Sequence, residues 1–454
     1  MNLTGRHRLA VAAMLLAGLG ADCSFRDPAD LDLAKARVDP LVFDDDYGEG
    51  VYFQPFMDTY TQAVSLDSVY AQSGTRSLKV TIPPEGSPLG AFAGGVLTSA
   101  ASRDHTGFNA LTFYARSGPA NVTLNDVGFG NDNTGTSIYK AGLSNIEVST
   151  AWRRVVIPIP APDRLIAERG QFMFSEGYED LLGGEMWFDD IRFTTESDIS
   201  NPRPSMRSLS KLCFVGATVG LENTRTLFAV GDDDVMVNHD GGYFDLQFSK
   251  PGVAKAERGM IRVVGADTTF VTASLDGVQA TGTLRVIGRV PPSEPAPAPT
   301  HPAADVISLF SRAYQDVPVD TWRADWSQGE YSEFEVGGRA IKMYSNLYYA
   351  GILFRTRTID ATAMTHLHLD VFAPEGTNFK VKVVALDGVN GNTTQQSELT
   401  FDAGSTPAFV AGQWSSLDIP LADFQLTDDW EHIGEIVISG NARLVLLDNL
   451  YWHK

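Results

Sequence analysis

Trp187-Phe-Asp-Asp-Ile-Arg-Phe193 and Leu446-Leu-Asp-Asn-Leu-Tyr-Trp452 are two stretches of one pattern, and they decide the fold. In each stretch, apolar and aromatic residues surround a short polar pair, which is typical of a largely buried β-strand. The first stretch lies in the middle of the sequence and the second close to its end. A strand that occurs twice in this way indicates a duplicated domain.

Three further pairs of similar stretches precede these two, in the same order along the chain. They are Phe43–Tyr47 with Phe310–Tyr314, Phe108–Ala115 with Met364–Val371, and Ala151–Ile159 with Gly412–Leu421, the last pair with one inserted residue. Four matching blocks in one order are difficult to produce by chance, and the copies differ too much for a short-period repeat. We therefore expect two independent domains of the same fold.

Strand signals dominate the rest of the chain. Ser77–Ile82, Ala110–Ala115, Arg154–Ile159 and Lys380–Val384 are apolar or alternate apolar with polar residues, and Gly, Asn, Asp and Pro lie at their ends. The strongest helix-like stretch, Ala161–Gln171, is short. The predicted fold class is therefore all-β, in three β-sandwich domains.

Proline marks the clearest domain boundary. The segment Pro291–Pro302 is dense in proline, which favours extended polyproline II and predicts a semi-rigid spacer. A weaker boundary lies at Ser197–Pro204, and a chain of 454 residues is too long for a single core. The predicted organisation is a signal peptide at 1–22, a first sandwich at 40–196, a middle sandwich at 204–289, the linker at 290–302 and a last sandwich at 303–454.

The first residues have the pattern of an export signal. Basic residues at positions 6–8 precede the short apolar run Leu9–Gly20. Cys23 follows where a bacterial lipoprotein would carry a lipidated thiol, although Asp22 stands where Gly, Ala or Ser is usual. We expect either a secreted protein or an outer-membrane or cell-surface lipoprotein of a bacterium, with Cys23 as the lipid anchor in the second case.

Charge and motifs exclude several classes of function. The net charge of −21 argues against nucleic acid and anionic lipid as partners. The two cysteines, Cys23 and Cys213, are too few for a disulfide framework or a Cys-type zinc site. The sequence contains no Glu-x-Asp-x-x-Glu run, Gly-x-Ser-x-Gly elbow, P-loop or His-Glu-x-x-His motif. No catalytic residue is therefore predicted, and we expect a protein that is not an enzyme.

The two outer segments resemble the galactose-binding-like jelly roll of many bacterial carbohydrate-binding modules. The resemblance rests on the turn and strand at Ser73–Val80, on the Asp of the last strand, and on Trp152 and Trp414. Each of these tryptophans precedes an apolar strand that ends near proline, and the resemblance implies that they pack in the core. It covers nearly all of both segments.

The other two resemblances are to more particular domains. Residues 303–454 are similar to the C-terminal module attached to bacterial family 16 glycoside hydrolases, through the stretches Ala304–Ser311, Val317–Trp322, Thr358–His368 and Leu447–Tyr451. The middle segment resembles a group-2 bacterial immunoglobulin-like domain, through the stretches Phe248–Ala256, Val263–Ala273 and Val278–Val286, with Asp267 where such domains usually have Gly.

The jelly-roll resemblance also implies a structural Ca²⁺ between the first strand, the Ser-Gly turn and the last strand. In the first domain its ligands would come from Asp44, from Ser77 and from Asp189, since hard cations take carboxylate and carbonyl oxygens. In the last domain Asp448 remains, but Arg312 stands where an acid is expected. The alternative is that these aspartates cap strand ends.

Aromatic residues of the last domain are the candidate sugar contacts, because flat rings pack against the C–H faces of sugars. Trp322 and Trp326 lie in a polar, loop-like stretch, where rings are harder to bury. Tyr348 and Tyr349 are adjacent in a strand, so only one of them can face a given groove. Trp430 is the fifth candidate, and core or rim packing is the alternative for each ring.

His366, His368 and Asp370 alternate along one strand, so they share a face while Leu367 and Leu369 point to the core. Three interpretations stay open: a solvated outer face, polar contacts in a sugar groove with His368 as the candidate, and a transition-metal site.

The predicted function is non-catalytic binding of an extracellular polysaccharide, with a β-glucan as the ligand that the family 16 resemblance implies. A co-secreted glycoside hydrolase is then an expected partner, and an accessory role in such a hydrolase system is one alternative. A structural or adhesive surface protein without a sugar site is another. An enzyme with an unfamiliar site is the third, and clustered carboxylates in a deep cleft would favour it.

Overall fold

The computed structural model describes residues 36–177, 183–427 and 430–454, and it consists there of β-strands joined by turns. Helical structure in these ranges is limited to short 3-10 turns, which are Pro162–Arg164, Gly241–Tyr243, Ala303–Asp305, Arg355–Arg357 and Leu421–Asp423. The all-β fold class is thus confirmed. Within the described part of the chain, no helix is long and apolar enough to span a bilayer. Cys23 and the export-signal pattern lie outside it.

The first sandwich consists of two sheets around an aromatic core. Its strands are β1 (Leu41–Asp44), β2 (Asp46–Tyr47), β3 (Val51–Pro55), β4 (Val64–Asp67), β5 (Ser77–Ile82), β6 (Phe92–Arg103), β7 (Ala110–Ser117), β8 (Val122–Phe129), β9 (Ala141–Val148), β10 (Arg153–Pro158), β11 (Glu168–Gly177) and β12 (Gly184–Thr194). One sheet has the order β10-β7-β12-β1-β2, with β5 also on β12 and β4 on β5; the other contains β3-β6-β11-β8-β9. Phe113, Phe172 and Phe188 meet between them in edge-to-face contacts.

The middle segment continues a sheet of the first sandwich. Its strands are β13 (Ile199–Ser205), β14 (Leu209–Phe214), β15 (Thr218–Val219), β16 (Arg225–Val230), β17 (Asp233–His239), β18 (Asp245–Phe248), β19 (Ala254–Glu257), β20 (Met260–Val263), β21 (Thr268–Leu275), β22 (Val278–Gln279) and β23 (Leu284–Arg289). Asn238 and His239 of β17 pair with Gly142 and Ala141 of β9, so the order β3-β6-β11-β8-β9 extends through β17-β16-β13. The remaining strands form two smaller sheets, β14-β23-β21-β18 and β15-β20-β19.

The last sandwich is one sheet folded into two layers. Its strands are β24 (Val306–Phe310), β25 (Gln328–Val336), β26 (Arg339–Leu353), β27 (His366–Phe372), β28 (Asn378–Leu386), β29 (Thr393–Asp402), β30 (Trp414–Pro420), β31 (Ile433–Gly440) and β32 (Leu444–His453). The first half of β26 pairs with β32 and the second half with β31, and between them Asn346 has a φ of 50°. Because β26 belongs to both layers, the inward side chains of β28 and β31 face those of β27 and β32 in one core.

The duplicated blocks occupy equivalent strands in the two sandwiches. In the first, the blocks form neighbouring strands in the order β10-β7-β12-β1. In the last, three blocks form β30-β27-β32, and the fourth begins at Phe310, the last residue of β24 on β32. The similar stretches Trp187–Phe193 and Leu446–Trp452 therefore lie in the central strands β12 and β32. The predicted duplication has a direct structural counterpart, while the predicted domain boundaries stay a prediction.

The outer side of one layer of the last sandwich is covered by the rest of the chain. Phe334 of β25 and Phe372 of β27 pack against Phe214 of the middle segment, within an apolar cluster that both segments share. The proline-rich linker covers another part of this side: Asn449 donates a hydrogen bond to the carbonyl of Pro297 (2.9 Å) and Trp414 to that of Glu294 (2.9 Å). The linker is thus docked on the sandwich along part of its length.

Trp414 does not lie in the core of the last sandwich, contrary to the expectation. Along β30 the buried inward residues are Ser415, Leu417 and Ile419, so Trp414 points outward, where it is half-buried against Phe372. A strand alternates its side chains with a period of two, so Trp414 has the opposite direction to the buried Ser415, Leu417 and Ile419.

Candidate functional site

The other layer of the last sandwich presents an outward side that we call the open face. It is formed by β29, β28, β31 and the second half of β26, which lie side by side. One row of residues across these strands is Thr400, Lys380, Ser439 and Tyr349, and the next is Glu398, Lys382, Val437 and Gly351. Their neighbours in sequence point into the core, so the open face carries mainly polar side chains.

The indole of Trp326 lies over this face. Residues 321–327 run along the edge of β26, where Thr321 bridges Leu353 and the backbone N–H of Gly351 donates to Ser327 Oγ (3.1 Å). A Cβ atom at position 351 would lie 2.3 Å from Cη2 of Trp326, so the ring occupies the space that a side chain there would fill. Trp326 nevertheless remains 46% exposed, which is unusual for so large an apolar ring.

Tyr349 extends the aromatic surface that Trp326 begins. The two ring centroids are 6.2 Å apart and the ring planes differ by 27°, so the rings are close to parallel. Tyr349 is half-buried and belongs to the neighbouring row of the open face. The two rings are thus direct neighbours on the open face, with polar groups in the adjoining rows.

The strands beside the two rings carry charged groups. Glu435 of β31 is buried and accepts a hydrogen bond from Arg355 (2.6 Å), and Lys380 pairs with Glu398 (2.8 Å). Lys382 lies between Glu398 and Val437 in its row, and among the described residues it has no partner within hydrogen-bonding or ion-pair distance. Rings for C–H faces and donors and acceptors for hydroxyls are the two elements of a sugar-binding surface.

The other predicted rings lie elsewhere. Trp322 is partly buried: it packs edge-on against Phe310 (5.8 Å) and lies beneath the ammonium of Lys342. Tyr348 is 57% exposed, but its ring is held against the guanidinium of Arg443, in the turn before β32. Trp430 packs edge-on against Phe424 at the rim of the core. The structure therefore brings together Trp326 and Tyr349 alone of the five candidate rings, and their role in binding stays a prediction.

His368 is separated from these rings by the thickness of the sandwich. Leu367 and Leu369 are fully buried, as the alternation predicted, and His368 points to the covered side. Its ring stacks on Tyr451 and contacts the carboxylates of Asp418 (3.2 Å) and Asp370 (3.4 Å). Burial alone would lower the pKa of His368, but these carboxylates reverse the effect and raise it. Among the described residues, no group of three or more His, Cys, Asp or Glu side chains has an arrangement that could hold a metal ion.

The residues implied as calcium ligands in the first sandwich have other partners. Asp189 is fully buried and accepts hydrogen bonds from the backbone N–H groups of Gln72 (2.8 Å) and Ser73 (3.2 Å). The hydroxyl of Ser77 donates to the carbonyl of Tyr70, and Asp44 pairs with Arg192 (3.2 Å). Direct hydrogen bonds thus join the last strand to the Ser-Gly turn, which is the link that Ca²⁺ would supply.

In the last sandwich an arginine takes the position beside the equivalent aspartate. Asp448 is fully buried and pairs with the guanidinium of Arg339 at 2.5 Å. Burial raises the pKa of Asp448 against the opposing effect of Arg339. The carboxylates in both sandwiches face N–H groups or guanidinium groups, and the hydroxyl of Ser77 is used by a carbonyl. Neither set therefore fits Ca²⁺ in this arrangement, and the calcium site stays a prediction.

Four residues of the open face were not predicted: Gly351, Lys382, Glu435 and Arg355. Gly351 lies inside an apolar strand, where a glycine often marks the close approach of another group. The glycine could therefore have indicated that an aromatic ring packs over position 351. For Lys382 and Glu435 the strand alternation gives a face but not which of the two faces stays open. Arg355 lies in a 3-10 turn, where alternation predicts no face.

No protein-family model and no curated protein matches this chain. A family 30 carbohydrate-binding module of a Clostridium thermocellum cellulosomal cellulase aligns with a TM-score of 0.24 and 16% identity, over 36% of this chain and 95% of that one. A family 11 module from the same organism, in complex with a β-1,3-1,4-mixed-linked tetrasaccharide, gives 0.26 and 10% over 33% and 95%. A β-1,2-glucanase from Parabacteroides distasonis gives 0.23 and 12% over 57% and 39%.

Proposed function

We propose that the protein binds a polysaccharide without cleaving it, and that the open face of the last sandwich is the binding surface. The observation that carries the proposal is the exposed Trp326 ring, which lies over Gly351 and beside Tyr349. A flat ring held in place before binding loses little conformational freedom when a sugar packs on it. Neighbouring donors and acceptors then fix the orientation of the sugar.

A β-glucan is the proposed ligand, because residues 303–454 resemble the module attached to family 16 glycoside hydrolases. An accessory role beside a co-secreted hydrolase is compatible with this proposal. A purely structural or adhesive role is the second candidate. The covered side of the last sandwich favours it, since that side is already used for contacts within the chain.

The test is affinity electrophoresis of the full chain through gels that contain laminarin, lichenan, xylan, agarose or alginate. We expect laminarin or lichenan to retard the wild-type chain, and Trp326→Ala to weaken this at least about tenfold, as for a central contact residue. The matched control is Tyr348→Ala, which removes an exposed ring that lies against Arg443, away from Trp326. Retardation by none of the five glycans, or equal loss in both variants, would contradict the proposal.

Gly351→Ala tests the position of the ring without removing it. The added methyl group would displace the edge of the Trp326 indole, while the backbone conformation at 351 suits alanine. We expect weaker binding with a melting temperature close to that of the wild type.

We also propose that the protein acts outside the cell, because basic residues and the run Leu9–Gly20 precede Cys23. Expression in a bacterial host with labelled palmitate, for the wild type and Cys23→Ser, tests the anchor. Label in neither protein together with cytoplasmic retention of both would contradict the proposal.

A further inference from the structure

A groove runs along the seam between the first sandwich and the middle segment. It consists of two adjacent cavities of about 500 Å³ and 340 Å³, which share the lining residues Lys140, Thr224 and Asp240. We call these two cavities together the seam groove. It is on a different sandwich from the open face and contains none of the residues discussed there.

The floor of the seam groove includes glycine positions, which carry no side chain. Across four neighbouring strands, Met173, Gly128, Gly142 and Asn238 form one row, which spans about 14 Å at ~4.8 Å per strand. A Cβ atom at Gly142 would lie 2.3 Å from the carbonyl oxygen of Val127, and one at Gly128 would lie 2.1 Å from that of Ala141. Neither position can carry a side chain, and the sheet therefore has a depression between the two ends of the row.

Polar groups line one wall of the depression. The hydroxyl of Ser144 donates to Asp126 (2.6 Å), and the amide of Asn238 donates to Ser144 (3.1 Å). These three side chains are exposed, so their remaining donors and acceptors are available to a ligand.

The opposite wall is charged, and a backbone hydrogen bond joins its two segments. Lys140 Nζ lies 3.9 Å from the carboxylate of Asp240, and the backbone N–H of Asp240 donates to the carbonyl of Lys140 (2.9 Å). Next to them, the hydroxyl of Tyr243 donates to the carbonyl of Tyr139 (2.7 Å). Arg258 lies at the far end of the groove. The two acids, Asp126 and Asp240, balance the two bases, Lys140 and Arg258.

We propose that the seam groove is a second binding site, and that its ligand is an uncharged oligosaccharide chain. Balanced charge and a line of hydroxyl, amide and carboxylate groups suit a ligand rich in hydroxyls. A peptide would use a free strand edge or apolar pockets, but at the groove the edges of β9 and β17 are taken up by the pairs Gly142–Asn238 and Ala141–His239. The net charge of −21 argues against nucleic acid.

The test is hydrogen–deuterium exchange of the full chain carrying Trp326→Ala, which removes the proposed contact on the open face. The probes are laminarihexaose, cellohexaose and xylohexaose at millimolar concentration. We expect at least one of them to slow exchange of residues 138–146 and 220–241. The seam variant Ser144→Arg fills the depression and should abolish this protection, and its matched control is Thr150→Arg, in the exposed turn after β9.

Protection in the Trp326→Ala chain that Ser144→Arg removes and Thr150→Arg retains supports the seam site, whether or not the open face binds sugar. Absence of protection with all three probes overturns it, as does protection that survives Ser144→Arg. Binding at the open face is measured separately, as slower hydrogen exchange of residues 349–353 and 435–439 in the chain with native Trp326.

Discussion

His105 and His239 are buried residues whose charge state is set by their surroundings. The ring of His105 contacts the amide of Gln171 (2.7 Å), and that of His239 contacts the hydroxyl of Thr226 (2.9 Å). Burial lowers the pKa of each imidazole to about 4. Both rings are therefore neutral at pH 7 in the folded protein.

This burial makes stability depend on pH. In the unfolded chain a histidine has a pKa of ~6.5, so below that pH the unfolded state binds protons that the folded state does not. Each residue's contribution is fully present above pH ~6.5 and is lost as the pH falls towards 4, at a cost of about 3 kcal/mol per residue. His368 acts in the opposite direction, because its pKa in the folded protein is raised.

Urea unfolding of the full chain at pH 7.5 and pH 5 measures the effect. We expect His105→Gln and His239→Gln each to reduce the difference in free energy of unfolding between the two pH values. The half-buried His432 serves as the matched control, as His432→Gln. An unchanged difference in both core variants would show that these rings titrate normally.

For Trp322 and Trp326 the sequence predicted the loop but not the direction of either ring. The polar stretch that contains them was correctly placed in a loop, yet one ring packs on Phe310 and the other lies over Gly351. The direction of each ring depends on how residues 321–327 pair with β26, which is a long-range contact. Sequence spacing alone carries no information about that pairing.

At the scale of elements, the docked linker supplies partners to buried groups. Asn449 is fully buried, and its amide donates to the carbonyl of Pro297 as well as to Asp370 (2.7 Å). His301 stacks on His453 with centroids 3.9 Å apart. Removal of the linker would leave Asn449 one acceptor short, and an unpaired buried polar group costs about 1–3 kcal/mol.

Replacement of Pro291–Pro302 by a Gly-Ser segment of equal length tests this. We expect a lower melting temperature and faster hydrogen exchange of β32, because the flexible segment loses conformational entropy on docking. Gly-Ser replacement of the exposed turn 85–88 is the control and should leave the melt unchanged. Equal melts for the linker variant and the wild type would mean that the linker is only a spacer.

Most strands could be predicted from the sequence, because their signals are local. The predicted strand Ser77–Ile82 has the same bounds as β5, and Ala110–Ala115 extends by two residues to β7 (Ala110–Ser117). The direction of Trp414 was wrong, since a proline-bounded strand can be placed in either register and only its partner decides.

At the scale of the whole molecule, the middle segment and the last sandwich share an apolar interface. Phe334, Ile341, Met343 and Leu446 are buried in the same cluster as Phe214. A fragment of residues 303–454 would expose these side chains to water, and an apolar patch of this kind promotes association.

We expect the isolated fragment 303–454 to retain binding to laminarin but to bind a hydrophobic dye and to self-associate in gel filtration. The double variant Phe334→Ser and Met343→Ser should reduce both effects, because it makes the exposed surface more polar. A monomeric fragment without dye binding would show that the sandwich needs no cover from the middle segment.

The duplication was visible in the sequence because both copies keep the same four blocks around β12 and β32. The continuation of β9 into β17 was not visible, since it joins residues from either side of a predicted domain boundary. Two-residue pairing at Asn238 and His239 leaves no pattern in a local window of sequence.

The docked linker also decides how the protein responds to pulling. Twelve residues of free polyproline would span about 37 Å, so the two domains that they join could move apart over a short distance before any other contact was loaded. Because the linker is hydrogen-bonded to β30 and β32, and β9 is paired to β17, the described chain offers little slack between the seam groove and the open face. Under the proposed function, a force applied to a bound glycan would therefore act directly on the sugar contacts, with little prior extension of the protein.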